Sequence, residues 1–398
     1  MSKVERLKMN DTDKKVHFEE GKITDEALAL YRARVGKKLR IHEKGNELAC
    51  KETIVNFSKG IGDTNPLWND EEYAAKTRYG RLVASPAWLY SVAGSGAQQG
   101  LRGVHGFHAG DNWEFYKPVL LDDKVRCDDI FSGFEEKPSK FAGKMIVEYH
   151  DRFYYNQRDE LIAKVKTWIM RIERQAAQKH GKHTKITMPH PWKEEELKKI
   201  EEEVIAEEIR GNKVRYWENV KIGEELPAVV KGPLGLTDVI AFTAGYGGIH
   251  LKAHRAALLE YRKHPAWSFR DPDTYSLEPI SGIHYNLHAA VAAGLPYPYV
   301  LGMEMNSWVI NLLTNWMGDE AWLKQCYCEY RHFVYLSDVV WLKGKITKKY
   351  IDSDQEHCVD IEITGFNQRG EDTSPGKATI ILPSTETSTW PLDKRITH

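Results

Sequence analysis

The stretch GDTNPLWND, residues 62–70, sets a carboxylate, Asp63, two positions before Asn65 and five before Trp68. Asp and Asn ahead of a proline close turns through bonds to their own backbone, so Asp63 has a structural use beside an acid–base one. A second group able to carry protons is His284, in HYNLHAAVAAGLPYPYVLG, with Glu278 a few residues upstream as a second carboxylate. His105 and His108 stand three apart in the glycine-rich GVHGFHAG. That spacing lacks a third ligand, so no metal is expected there. His250, in AGYGGIHLKAH, belongs to a decayed imitation of the GDTNPLWND pattern. The chemistry on offer is proton transfer.

The elements that would position these groups fall into two similar runs. Thr24 can cap a helix that carries Asp25 and Glu26 at its positive end, turns Leu28, Tyr31 and Val35 to one face, and stops at Gly36. From residue 113 the chain alternates apolar and polar residues and is rich in Val, Ile, Tyr, Phe and Trp, the texture of antiparallel strands. Residues 176–213 are charged and contain a solvated helix from about Pro191, which separates a first domain, 20–175, from a second, 214–398. The strand texture returns in the tail.

LWNDEEYAAKTRYGRLVASP aligns without a gap on IHYNLHAAVAAGLPYPYVLG at an offset of 216, setting Trp68 on His284 and Pro86 on Gly302. Both copies run into a helix that is apolar on more than one face, as a helix enclosed by a curling sheet must be. The expected fold is α+β, a pair of antiparallel sheets each wrapped round a central helix. An insertion at about 251–283 carries Trp267, Phe269 and Tyr275, either a wall for a ligand or packing for the connection.

Bulk properties narrow the function. With 56 Lys+Arg against 57 Asp+Glu the formal charge is −1, so no overall field gathers nucleic acid or an anionic membrane. Mean hydropathy is −0.53. The five cysteines are scattered and lack metal-ligand spacing, which fits reduced thiols. The charged start MSKVERLKMNDTDKK is no signal peptide, and no apolar run reaches the ~18 residues of a membrane helix. A cytoplasmic location is expected.

FSKGIGDTNPLWNDEEYAAKTRYGRLVASPAWL followed by GVHGFHAGDNWEFYKPVLLDDKV resembles the N-terminal domain of MaoC-like dehydratases, also known as the fungal fatty-acid-synthase-type dehydratase domain. HYNLHAAVAAGLPYPYVLGM and YRHFVYLSDVVWLKGKI resemble the family's paired second domain, so the likeness covers most of residues 25–385. It implies a double hotdog fold, an acyl-CoA or related thioester as ligand, and hydration or dehydration as chemistry. No cofactor is implied beyond CoA as part of the substrate, and the readiness of hotdog sheets to extend edge to edge makes a homodimer the expected assembly.

Such chemistry needs a base for water, an acid for the alpha carbon and donors for the enolate oxygen. In the family an Asp and a His five residues apart handle the water, and a backbone N–H at the start of the central helix polarises the carbonyl. The first half keeps Asp63 and Asn65 but has Trp68 in the His slot, and Pro86 has no N–H to offer. The second half has His284 and Gly302, but Pro279 fills the Asp slot and Glu278 precedes it. The resemblance therefore puts the working site in the second half, with His284, Gly302 and either Asp63 or Glu278 as its machinery. Asn65, Trp68, His105, His108 and Asn286 become binding or wall residues. With neither pair intact, a thioester-binding subunit without catalysis and a thioester hydrolase stand as rivals.

Overall fold

The computed structural model describes residues 16, 18, 21–41, 44–93, 100–139, 143–173, 186–248, 251–388 and 390–396. The strands are β1 (Lys38–Leu39), β2 (His105–Phe115), β3 (Arg126–Ser139), β4 (Gly143–Tyr155), β5 (Leu161–Ile172), β6 (Val229–Lys231), β7 (Ser268–Arg270), β8 (Leu277–Pro279), β9 (Trp322–Glu329), β10 (Val340–Ile351), β11 (His357–Asn367) and β12 (Gly376–Ile381). All but β7 and β8 form one sheet in the order β1-β3-β4-β5-β2-β9-β12-β11-β10-β6. The two sheets expected from the repeat are thus joined into one, because β2 and β9 pair antiparallel from Gly110 opposite Glu329 to Glu114 opposite Gln325.

The strand order reads the same from either end once the 216-residue repeat is applied: β2 answers β9, β5 answers β12, β4 answers β11 and β3 answers β10. Its outer edges, β1 and β6, are two and three residues long.

Gly302–Met317 is the central helix of the second half, and every residue from Met303 to Met317 is buried. It packs against β2, β6, β9 and β10, so the sheet of both halves encloses it. Two hydroxyls along it are bonded within the helix: Ser307 Oγ donates to the Met303 carbonyl at 2.7 Å, and Thr314 Oγ1 to that of Ile310 at 3.0 Å. The helix ends at Gly318, whose φ of 76° lies in the left-handed region. In the first half the matching segment begins as a 3-10 turn, Pro86–Leu89, and runs into the helical turn Tyr90–Ala93. Trp68, Trp88 and Trp113 from the first half share one core with Trp308, Leu312 and Ile361 from the second.

The helix Asp25–Arg32 is capped by Thr24 and buries Leu28 and Tyr31, while Val35 stays exposed beyond it. Within the charged connector lies the helix Glu194–Ile205. The insertion holds the helix His254–Lys263 and the β7–β8 hairpin. Among the described residues no helix is long and apolar enough to cross a membrane.

Candidate active site

Two cavities are related by the same internal repeat. The larger, about 250 Å³, is lined by His284 and Gly302 of the second half together with His108 of the first. The smaller, about 50 Å³, is lined by their counterparts Trp68 and Pro86. In the first half an indole thus occupies the place that the second half gives to an imidazole.

The larger cleft is built at the start of the central helix, where Leu301 is the N-cap and Gly302 the first helical residue. The first N–H groups of a helix have no partner inside it and carry the positive end of its dipole. Gly302 is needed for space: a Cβ there would lie 2.7 Å from the Tyr330 ring and 3.2 Å from His108 Nδ1. The wall is otherwise mostly aromatic and aliphatic, with Phe107, Tyr246, Tyr285, Tyr299 and Phe333 among its residues.

His284 is held through Nδ1, 2.7 Å from the Tyr299 carbonyl, and its ring lies 4.6 Å from the Tyr299 ring. A carbonyl only accepts, so Nδ1 carries the hydrogen and Nε2 is the basic nitrogen of the neutral ring.

His108 enters from β2 and is 9% exposed at its side chain. Its Nε2 is 3.0 Å from Asp111 Oδ2. Residues three apart on a regular strand face opposite ways; here a bulge between His108 and Gly110 turns them to the same side. Asp111 is fully buried, and its Oδ2 also accepts from Tyr90 Oη at 2.5 Å and Tyr330 Oη at 2.7 Å, while Oδ1 accepts from Thr167 Oγ1 at 2.6 Å. Burial pushes its carboxyl up, but His108, Thr167 and Tyr90 outweigh that and hold it below the usual carboxylate range. For both tyrosines, burial and then the Asp111 charge push the phenol far up, so each remains a donor.

The remaining candidates have other employment. Asp63 Oδ1 accepts from the Asn65 N–H at 2.9 Å, and burial raises its carboxyl to about 6 against the pull of Asn65 and Lys231. Asp63 lines neither cavity; its neighbours are Trp68, Lys231 and Glu207, so it stays with the first-half loop rather than joining His284. Asn65 lines the smaller cavity and caps Pro66–Asn69 through Leu67. Glu278 lies on β8, where Oε1 accepts from Ser276 Oγ at 2.7 Å, outside the cleft lining. Asn286 caps Leu287–Ala292 and donates to Asp271 Oδ2 at 2.6 Å. His105 lies tilted against Phe107, ring centres 4.2 Å apart.

The insertion puts Leu251 on the cleft wall, whereas Phe269 is buried, Trp267 stacks on His264 and Tyr275 is exposed. Lys252 pairs with Glu260, and Lys38 with Asp128 at 2.6 Å; beside His108 and His284, Arg331 and His332 line the cleft itself. His250 lies outside the described residues. Asp352, Asp354 and Glu356 bring carboxylate oxygens within 4.8 Å of one another, but Lys324 and Arg395 already bind two of the three, at 2.5 Å from Asp352 and 2.7 Å from Glu356.

Asp111, Tyr90 and Tyr330 are the residues that motif reading passed over. The one sequence signal for them was a glycine inside a strand after a histidine, at Gly110, which marks a bulge or close approach.

Residues 34–165 match the family described as FAS1-like, dehydratase domain region. The fold is shared with solved structures described as MaoC-like dehydratases. One MaoC-like dehydratase aligns over 88% of this chain and 99% of its own, with a TM-score of 0.62 and 16% identity. A MaoC domain protein dehydratase from Chloroflexus aurantiacus aligns over 88% and 96%, with a TM-score of 0.55 and 13% identity. A conserved protein of Mycobacterium tuberculosis, described as having a double hotdog fold, aligns over 87% and 96%, with a TM-score of 0.52 and 10% identity. In sequence, a UPF0336 protein of Streptomyces avermitilis is 24% identical over 135 residues, which is 32% of this chain and 85% of that protein.

Proposed function

We propose that the protein is a hydro-lyase that adds water to an enoyl thioester, or removes it from the hydroxyacyl form, with an acyl-CoA as substrate. The observation that carries this reading is that His284, its Nδ1 turned to the Tyr299 carbonyl, and the Gly302 helix start line one largely apolar cleft. The thioester carbonyl would accept from the N–H groups at the helix start, where charge that develops on oxygen is stabilised without reorganisation.

His284 Nε2 takes one hydrogen of the water as its oxygen bonds to the beta carbon. The double-bond pair moves onto the thioester oxygen, and the imidazolium then returns the proton to the alpha carbon. The acyl group lies along Phe107, Tyr246, Tyr299 and Met305. The smaller cavity takes no part, since Trp68 and Pro86 supply neither a base nor an N–H.

The test is a panel of short and medium enoyl-CoA and hydroxyacyl-CoA esters, followed by enoyl absorbance and by free thiol. Loss of enoyl absorbance with the thioester intact supports hydration. Release of thiol would replace the reading with hydrolysis, and binding without either change would leave a non-catalytic thioester binder.

A further inference from the structure

The second half lacks the carboxylate that its motif would carry, because Pro279 stands in that slot. The cleft nevertheless contains a second imidazole, which comes from the opposite half of the chain. His108 is nearly buried, its Nε2 lies 3.0 Å from Asp111 Oδ2 in an ion-pair contact that lacks hydrogen-bond geometry, and its Nδ1 has no hydrogen-bond partner among the described residues. That nitrogen lies 3.2 Å from where a Cβ of Gly302 would stand, which aims it at the start of a 16-residue helix.

We propose that His108, oriented by Asp111, is a second catalytic residue of this cleft and stands in for the missing motif carboxylate, its Nδ1 accepting a hydrogen of the attacking water. The inference rests on the hydro-lyase reading above. Ionised Asp111 only accepts, so the hydrogen of a neutral His108 resides on Nε2 and the lone pair on Nδ1.

In the step, one water hydrogen passes to His284 Nε2 and from there to the alpha carbon. The other stays on the oxygen, held by His108 Nδ1, and leaves as the hydroxyl hydrogen of the product. Water is consumed, the double bond is lost, and no further reactant is needed. Asp111 touches no substrate. It is a positioning residue, which Tyr90, Tyr330 and Thr167 fix in turn.

The closing experiment compares the full-length protein with His108→Ala, His108→Gln and Asp111→Asn, and labels histidine side chains with nitrogen-15. Supporting results are a fall in kcat of about 100-fold or more in His108→Ala, within the range for one acid–base group, with butyryl-CoA affinity within about threefold and partial recovery in His108→Gln, an amide that can still accept. Asp111→Asn, if folded, should displace the pH profile of kcat. A His108→Ala protein whose kcat stays within about threefold overturns the proposal. So does a His108 resonance that saturating butyryl-CoA leaves unmoved. If the wild-type protein turns over no ester on the panel, the hydro-lyase reading fails by itself. The resonance then decides the rest: movement supports His108 as a ligand-facing group and its absence rejects it.

Discussion

Asn306 Nδ2 donates a 2.7 Å hydrogen bond to Tyr90 Oη, and the two residues are 216 apart, the period of the internal repeat. Equivalent positions of the two halves therefore touch each other at the centre of the molecule. Tyr90 Oη also accepts from Trp113 Nε1 at 2.9 Å and donates to Asp111, so the contact between the halves is part of the same network that holds His108. Removing Asn306 leaves a buried hydroxyl short of a donor. Asn306→Ala should cost about 1–3 kcal/mol in urea unfolding, with a loss of activity larger than the stability change explains. A variant with wild-type stability would detach this bond from the fold.

Gly302→Ala places a methyl against Tyr330 and His108 at the mouth of the helix start. Alanine is otherwise a better helix former than glycine, so the helix should survive. The expected outcome is a loss in kcat of about 100-fold, comparable to removing one oxyanion donor, with a stability cost of about 1–3 kcal/mol from displacing the Tyr330 ring. Equal activity would mean that the carbonyl docks elsewhere.

Asp63 supplies a pH test. Its carboxyl is raised from 3.8 to about 6 in the folded chain, first by burial. An acid with a raised folded pKa helps the fold only while protonated, so its contribution is complete below about 4 and is lost as pH rises to about 6. Asp63→Asn should therefore flatten the decline in unfolding free energy across that window, an effect on the order of 3 kcal/mol. If the pH dependence of Asp63→Asn and wild type is superimposable, the burial argument fails.

Restoring the imidazole to the first half should not restore a site. Trp68→His, made together with His284→Ala, still meets Pro86 where an N–H is required. Turnover should stay at the level of His284→Ala, measured per folded molecule because replacing the buried Trp68 costs about 3 kcal/mol of packing. Recovery of activity would show that the helix-start donor is dispensable.

Much of this was legible in the chain. The ungapped offset set Trp68 on His284 and Pro86 on Gly302, and each of these pairs of neighbours lines one cavity, Trp68 with Pro86 and His284 with Gly302. The apolar run after Gly302 announced a helix enclosed on all sides, since no amphipathic surface helix would tolerate it. The single continuous sheet was not readable, because the β2–β9 pairing, from Gly110 opposite Glu329 to Glu114 opposite Gln325, joins residues far apart in the chain through backbone groups that carry no sequence signal. Asp111 was hidden for a related reason. Its value comes from a bulge that turns it beside His108 and from partners on three other elements, Tyr90, Thr167 and Tyr330. The turn chemistry of Asp63 and the capping role of Asn286 show the converse, residues whose types suit catalysis but whose local bonds are already made.

The most direct test follows the carbonyl of crotonyl-CoA labelled with carbon-13 at the thioester carbon, by isotope-edited infrared spectroscopy on the full-length protein. Seating at the helix start predicts a bound carbonyl stretch shifted to lower frequency than in water, with the shift lost in Gly302→Ala. A bound ester whose stretch matches the free ester, or a shift that Gly302→Ala leaves intact, would contradict the account.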